Sequence, residues 1–272
     1  MTVIVVIAKE CLPGRVKTRL HPPLSLEQAA DLASASLADT LAVAGSLPAT
    51  RHILAFDGVT APPESSGWQI LPQVSGGLDE RLAAIFDHLD EPTLLLGMDT
   101  PQISAQLLAP ICADWGPDTD AWFGPADDGG FWALALKNPT GALLRGIPMS
   151  RSDTGAHQLQ RLNEAGLTVR QLPTLTDIDT ITDAQTVASA APETRFARAF
   201  AGVGASAQLG AVDIGAVDIG AVEHGAVEHG AVEHGAVEGR AAELPAIDRG
   251  TALLRAAESP AAGPLTGTGV RS

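Results

Sequence analysis

The chain has 272 residues, a formal net charge of −15 and 45% hydrophobic residues, with no Tyr. This negative charge argues against binding to nucleic acid or to an anionic membrane surface, because both are polyanions. The two cysteines, Cys11 and Cys112, provide neither a disulfide framework nor a zinc-binding spacing. The apolar segment at residues 3–8 is too short for a signal peptide or a membrane span. We therefore expect a cytoplasmic protein without membrane insertion.

Short apolar runs alternate with amphipathic segments along most of the chain. The runs predict strands at residues 1–8, 51–56, 68–71, 93–96, 121–124 and 131–136. The amphipathic segments predict helices from Ser25 to Gly45, after Gly77, from Ser104 to about residue 112, and from near Thr182. This alternation predicts a three-layer α/β fold with a mostly parallel sheet.

A basic loop follows the first predicted strand, at residues 9–20 (KECLPGRVKTRL), in an otherwise acidic chain. Its Pro-Gly turn precedes Arg15, Lys17 and Arg19, which alternate and would point to one side of an extended segment. Cations combined with backbone N–H groups favour a phosphate-binding loop. The spacing is not that of a Walker P-loop. The alternative is a solvent-exposed basic loop that binds no ligand.

The segment TLLLGMDTP, residues 93–101, places an acid at the end of a buried strand. Ligands of open α/β sheets bind beyond the carboxyl ends of the strands. Asp99 is therefore in position to hold a divalent cation against a phosphate-bearing substrate. The alternative is that Asp99 only caps the turn before the next helix.

Three further loops contain glycines or acids. Gly76 and Gly77 precede a predicted helix and would let backbone approach a ligand, although a plain turn explains them equally well. The segment ADDGG at residues 126–130 forms a second acidic loop, for which an Asp-Gly hairpin turn is the alternative. Asp177 and Asp179 alternate, so both would face the same way in an extended segment.

These motifs occur in a fixed order over roughly residues 2–190: AK with PGRVKTRL, GGLDER, LLLGMDTP, GPADDGGFWALAL and DIDTITD. Together they resemble an uncharacterised bacterial family of GT-A-like transferases, some of whose members are arsenosugar-biosynthesis glycosyltransferases. They are more distantly similar to the guanylyltransferases of molybdopterin and coenzyme F420 synthesis. The resemblance implies a nucleotide-diphospho-sugar transferase fold, which is GT-A-like and Rossmann-like.

The resemblance also implies roles for individual residues. The nucleotide would be bound by Lys9, Gly14, Arg15, Lys17, Arg19 and Gly77, with Lys17 and Arg19 as the main phosphate contacts. Asp99 and Asp179 would bind Mg²⁺ or Mn²⁺. Asp99 and Asp128 would be catalytic, with Asp128 shaping the acceptor or sugar pocket. The chain departs from the family at Glu10-Cys11, where proline is frequent, and at Met149, where an aromatic residue is frequent.

The resemblance favours glycosyl transfer from a nucleotide-sugar to a small-molecule acceptor. A nucleotidyltransferase that uses a nucleoside triphosphate and releases pyrophosphate needs the same loop and acid. A catalytically silent nucleotide-binding module is the third alternative. The sequence indicates neither the base, nor the acceptor, nor the oligomeric state.

A repetitive segment follows the region of resemblance. Pentads such as GAVDI and GAVEH repeat over residues 210–239, and a Gly every fifth residue fits neither a helix nor a strand. Six pentads are too few for a β-solenoid core. We therefore predict a transferase domain at residues 1–200 and a disordered, acidic, low-complexity tail at residues 201–272.

Overall fold

A computed structural model describes residues 1–113 and 115–212 of the protein. The strands are β1 (Val3–Lys9), β2 (His52–Asp57), β3 (Gln69–Pro72), β4 (Thr93–Leu96), β5 (Ala121–Pro125), β6 (Phe131–Leu136) and β7 (Val169–Gln171). The α-helices are α1 (Leu26–Ser46), α2 (Leu78–Asp87), α3 (Ala105–Ala113), α4 (Thr154–Glu164), α5 (Ile181–Ala190) and α6 (Arg195–Val212).

The strands form one sheet in the order β3-β2-β1-β4-β6-β5-β7. Strand β1 pairs in parallel with both β2 and β4, and β5 pairs in parallel with β7. Strand β6 is antiparallel to its two neighbours, β4 and β5. This architecture confirms the predicted α/β fold with a mostly parallel sheet.

The sheet is buried on both faces, and the side-chain alternation of β1 shows why. Ile4 lies in a cluster of buried residues with Leu37 of α1, on one face of the sheet. Its neighbour Val5 lies in a second cluster, with Phe86 of α2 and Leu162 of α4. Successive side chains of a strand point to opposite faces, so an uninterrupted apolar strand requires helices on both sides. The result is the predicted three layers.

The order of the strands in the sheet determines where the site lies. The chain moves from β1 outward through β2 and β3, then returns to place β4 on the other side of β1. Val6 of β1 is level with Leu96 of β4, so Lys9 at the carboxyl end of β1 and Asp99 in the loop after β4 lie at the same edge of the sheet. Such a switch point leaves a crevice between the loops that leave the two strands.

Helix α6 packs against α1 through a buried acid. The carboxylate of Asp39 accepts hydrogen bonds from the backbone N–H groups of Arg195 at 3.0 Å and Phe196 at 2.9 Å. Asp39 therefore satisfies two of the N–H groups that the start of a helix leaves without partners. The helix continues to Val212 and so extends past residue 200, where the sequence suggested the tail begins.

The pentad repeats from residue 213 onward lie outside the described residues, so the division into a domain and a disordered tail stays a prediction. None of the helices in the described part of the chain combines the length and the apolar character that crossing a membrane requires.

Candidate functional site

A cavity of about 490 Å³ lies at the edge of the sheet where β1 and β4 end. Seven of the residues predicted from the sequence line it, namely Lys9, Arg15, Lys17, Arg19, Asp99, Asp128 and Asp179. Gly14 and Gly77 were also predicted for the site, but within the described chain neither belongs to the cavity lining. Gly77 precedes α2, where its N–H donates to the Glu80 carboxylate at 3.2 Å.

Lys17 lines the cavity and lies close to two of its acids. Its side chain is only 7% exposed, and its Nζ lies 2.8 Å from Oδ1 of Asp99 and 3.7 Å from Oδ1 of Asp179. The same ammonium donates to the carbonyl oxygen of Ile178. Arg19, which is 76% exposed, pairs with Oδ2 of Asp179 at 2.8 Å. The structure therefore joins two predicted cations to two predicted acids.

Asp177 is a further acid in this part of the cavity that sequence reasoning mentioned but did not select. Its Oδ1 is buried and has no hydrogen-bond partner among the described residues. Burial raises the pKa of Asp177 to about 7, and the charges of Asp99 and Asp128 add to the increase while Lys17 opposes it. We call Asp99, Asp128, Asp177 and Asp179 the acidic flank. In the described chain, two cations, Lys17 and Arg19, pair with the carboxylates of this flank.

The acidic flank suits a hard divalent cation that is completed by a substrate. Within the described ranges, no three His, Cys, Asp or Glu side chains are arranged to hold a metal ion by themselves. Mg²⁺, however, is usually bound through one or two carboxylates together with substrate phosphates. Asp99 and Asp179 supply two such carboxylates around one ammonium, and Asp177 adds an unpartnered buried oxygen. These residues fit the predicted Mg²⁺ or Mn²⁺.

The loop that carries Asp128 joins the antiparallel strands β5 and β6, so it is the turn that its Asp-Gly sequence favours. Asp128 nevertheless lines the cavity, and its Oδ1 accepts the Gly130 N–H at 2.7 Å. Gly129 has φ of +89°, and a Cβ there would collide with the backbone of Ser152. Its carbonyl accepts the Gly155 N–H at 2.7 Å, which fastens the loop to the start of α4.

Three further cations line the cavity, from the end of β1, the basic loop and the start of α2. Lys9 and Arg15 form no ion pair with any residue in the described segments. Arg81, at the start of α2, donates to Oε1 of Gln73 at 3.1 Å and lies 4.0 Å from Asp57. We call Lys9, Arg15 and Arg81 the basic flank. Its cations lack the close carboxylate partners that Lys17 and Arg19 have.

Sequence reasoning missed Arg81 and Gln73. The Gln73 amide donates to the carbonyl oxygens of Ala8 and Ala55, both at 2.9 Å, and so fixes the side chain that orients Arg81. The motif GGLDER contains Arg81, but its sequence was interpreted through its two glycines, which would let backbone approach a ligand. The start of a helix is an unusual place for an Arg, since the helix N-terminus is itself positive. This position is the sequence feature that could have marked Arg81 as a site residue.

Cys11 lies in the basic loop and is not prepared for nucleophilic chemistry. Burial raises the pKa of its thiol to about 11, and the nearby charge of Asp99 contributes to the increase. The thiolate is the reactive form of cysteine, so very little of Cys11 is reactive at neutral pH.

Comparisons with known proteins agree with this architecture. Residues 30–151 match the profile of a family described as an uncharacterized protein conserved in bacteria (DUF2064). The chain matches none of the curated proteins. A solved structure from Desulfovibrio desulfuricans G20, itself a proposed nucleotide-diphospho-sugar transferase, is 25% identical and has a TM-score of 0.64 over 74% of this chain and 94% of that chain. These matches confirm the predicted resemblance and fold.

Two other solved structures are more remote. A cytidylyltransferase from Leptospira borgpetersenii is 14% identical, with a TM-score of 0.41 over 82% of this chain and 100% of that chain. Glucosyl-3-phosphoglycerate synthase from Mycobacterium tuberculosis, in complex with Mn²⁺, UDP and glucosyl-3-phosphoglycerate, is 13% identical, with a TM-score of 0.37 over 65% and 70%.

Proposed function

We propose that this chain is a transferase that uses a nucleotide-activated donor, and that it moves a glycosyl group from a nucleotide-sugar to a small-molecule acceptor. One observation carries the proposal: the cavity at the switch point of the sheet is lined both by Lys9 and Arg15, which form no ion pair within the described residues, and by a cluster of carboxylates. A nucleotide diphosphate needs both, since its phosphates bind cations and its bound metal binds carboxylates. The similar protein from D. desulfuricans is consistent with this donor.

On the basic flank, Lys9 and Arg15 would contact the diphosphate. Both line the cavity, and both have charges that no carboxylate in the described chain neutralises at close range. The Arg15 guanidinium offers a planar pair of donors to phosphate oxygens, whereas the Lys9 ammonium acts as a point charge. Gly14 has φ of +76°, a conformation that lets the loop turn just before Arg15.

On the acidic flank, Asp99 and Asp179 would hold Mg²⁺ or Mn²⁺. When bound, such an ion neutralises the charge that develops on a leaving diphosphate. Asp99 is the third residue after the buried strand β4, and its backbone carbonyl accepts the Ile178 N–H at 3.1 Å. That hydrogen bond brings the segment with Asp179 to the end of β4, so the two acids approach one position from different parts of the chain.

Asp128 would serve the acceptor. One of its oxygens is held by the Gly130 N–H, and the residue is exposed at the cavity. A carboxylate fixed in this way is able to orient an acceptor hydroxyl and to take its proton as the new bond forms. Phe131 and Met149 lie nearby in the lining and would give this end of the cavity an apolar surface.

The test is the thermal stability of the full chain with nucleotides, with and without Mn²⁺. A ligand that binds only the folded state stabilises it by about 4 kcal/mol when its concentration is a thousandfold above Kd. We expect a metal-dependent shift with a UDP- or GDP-sugar, and loss of that shift in Asp99→Asn. Asp57→Asn is the matched control, because Asp57 is the last residue of β2 at this edge but lies 4.0 Å from Arg81 instead of beside Lys17.

The other outcomes separate the alternatives. Stabilisation by nucleoside triphosphates but not by sugar nucleotides would replace glycosyl transfer with nucleotidyl transfer. Stabilisation by a sugar nucleotide without product from any acceptor would indicate a silent binding module. The proposal is wrong if no nucleotide shifts the melting temperature, or if Asp57→Asn removes the shift as completely as Asp99→Asn.

A further inference from the structure

Lys17 already fills the position between the two carboxylates that are proposed to hold the metal. Its ammonium has three partners, the Asp99 carboxylate at 2.8 Å, the Asp179 carboxylate at 3.7 Å and the Ile178 carbonyl. Of the three N–H donors of an ammonium, two have an acceptor within hydrogen-bond distance, on Asp99 and Ile178, and Asp179 lies at ion-pair distance. The side chain is 7% exposed, which makes Lys17 a buried charge that is fully paired inside the protein.

We propose that the Lys17 ammonium is the resident cation of the ligand-free site, and that it leaves Asp99 for the donor diphosphate when a divalent cation binds there. The inference rests on the proposed function for the identity of the incoming ligands. It gives Lys17 two alternative partners, an acidic one before binding and an anionic substrate afterwards. Its role then is to make metal binding depend on the nucleotide.

Competition follows from the distances and charges. Mg²⁺ binds carboxylate oxygens at about 2.0–2.1 Å, and the Asp99 oxygen is already in contact with the Lys17 ammonium at 2.8 Å. Two cations sharing one carboxylate at these separations repel one another. A metal ion alone must therefore displace a buried, paired ammonium and leave it without an acceptor. Burying an unpaired charge is strongly unfavourable.

A nucleotide diphosphate removes that obstacle. Its oxygens accept hydrogen bonds from the released ammonium and supply further ligands for the metal. The four-carbon stem of lysine lets the ammonium move without a shift of the backbone. Metal and nucleotide are then positively coupled, and each raises the affinity for the other by the same factor. Arg19 plays no such part, because its side chain is 76% exposed and, among the described residues, its one ion pair is with Asp179.

The test is titration of the full chain with Mn²⁺ in the absence of nucleotide, with free Mn²⁺ followed by electron paramagnetic resonance. We expect Lys17→Met to bind Mn²⁺ roughly tenfold more tightly than the wild type, a factor within the usual range for coupled sites. Lys17→Gln is the second variant, because its neutral amide keeps a donor for the Ile178 carbonyl. Circular dichroism and melting temperature establish that each variant is folded.

Arg19→Met is the matched control. It removes the same single charge from beside Asp179, but from an exposed position, so it should tighten Mn²⁺ binding by only about two- to threefold. If neither Lys17 variant binds Mn²⁺ more tightly than Arg19→Met, the proposal is wrong. The same conclusion follows if a structure of the wild type with Mn²⁺ alone still has the Lys17 ammonium in contact with Asp99.

A second arm measures the coupling. A sugar nucleotide should tighten Mn²⁺ binding to the wild type, and the gain should be smaller in Lys17→Met; an equal gain would overturn the inference. Failure here is distinguishable from failure of the proposed function. The metal titration uses no nucleotide, whereas the proposed function is tested by the nucleotide-dependent shift in melting temperature of the wild type, Asp99→Asn and Asp57→Asn.

Discussion

The two flanks of the cavity handle charge in opposite ways. On the acidic flank, Asp99 and Asp179 are tied to Lys17 and Arg19, and Asp177 keeps an oxygen without a partner in the described chain. On the basic flank, Lys9 and Arg15 have no ion pair within the described residues. The acidic flank therefore contains ion pairs in the absence of a ligand, whereas Lys9 and Arg15 of the basic flank are available to bind an anion.

The basic loop contributes cations to both flanks. Arg15, Lys17 and Arg19 alternate in sequence, and an extended loop would point all three the same way. The loop is not extended at this point, because Lys17 has φ of 47° and ψ of 34° and starts a 3₁₀ turn over Thr18–Leu20. Lys17 and Arg19 pair with carboxylates of the acidic flank, whereas Arg15 forms no ion pair within the described residues.

The largest effect is expected at Gly129, in the loop that carries Asp128 of the acidic flank. Gly129→Ala would place a Cβ against the Ser152 backbone at φ of +89°. Left-handed strain alone costs about 1–3 kcal/mol, and the collision adds to it because backbone on both sides must move. We expect a loss of about 3 kcal/mol or more in the free energy of unfolding, together with loss of nucleotide binding, measured by denaturant unfolding and thermal shift.

Gly146→Ala is the matched control for this change. Gly146 has φ of +76°, but a Cβ there meets no atom of the described chain within 4 Å. It should cost only about 1 kcal/mol, the strain of the left-handed conformation, and leave nucleotide binding intact. Equal losses at the two glycines would mean that the contact with Ser152 does not hold the acidic flank in place.

The position of the site in the fold could be predicted from the sequence more readily than the ion pairs within the site. A short strand with a run of apolar residues, such as Thr93–Leu96, is expected to be buried on both faces, and the loop that follows it is expected to lie at the edge of the sheet. Asp99 was therefore predictable from local pattern. The partnership of Lys17 with Asp99 and Asp179 was not, because it joins residues more than 80 positions apart along the chain.

Arg81 and Asp177 were harder still. Arg81 belongs to the cavity because the Gln73 side chain, held by two backbone carbonyls, orients it. Asp177 is distinguished from Asp179 by burial, and alternation in sequence treats the two alike. In both cases the deciding fact is a tertiary contact, which no periodicity records.

The second effect concerns Cys11, which lies in the basic loop but senses the acidic flank. Burial, and then the charge of Asp99, raise the pKa of this thiol from 9.0 to about 11. At pH 8 its thiolate population, and hence its alkylation rate, should be about a hundredfold below that of an ordinary cysteine. The rate for folded protein should still rise between pH 9 and pH 10, measured with iodoacetamide and peptide mass spectrometry.

The urea-unfolded chain is the reference for this measurement: with an ordinary thiol pKa its rate should rise by less than about twofold between pH 9 and pH 10, whereas the rate of the folded protein should rise by about ninefold. Asp99→Asn should speed alkylation of the folded protein, because it removes a negative charge that disfavours the thiolate. If the folded rate already levels off below pH 8, Cys11 is an activated thiol and the description of its surroundings is wrong.

The smallest effect separates the flanks most directly. Lys9→Met and Arg15→Met should each weaken binding of a nucleotide diphosphate by roughly tenfold, since a hydrogen bond to a charged group is worth about 1.5–3 kcal/mol. Arg19→Met should weaken it by only about twofold, because Arg19 is exposed and already occupied by Asp179. Isothermal titration at fixed Mn²⁺ and two salt concentrations measures the three variants together. If Arg19→Met costs as much affinity as Arg15→Met, the phosphates are bound by the whole row of cations, and the division of the cavity into two flanks does not describe how it binds its ligand.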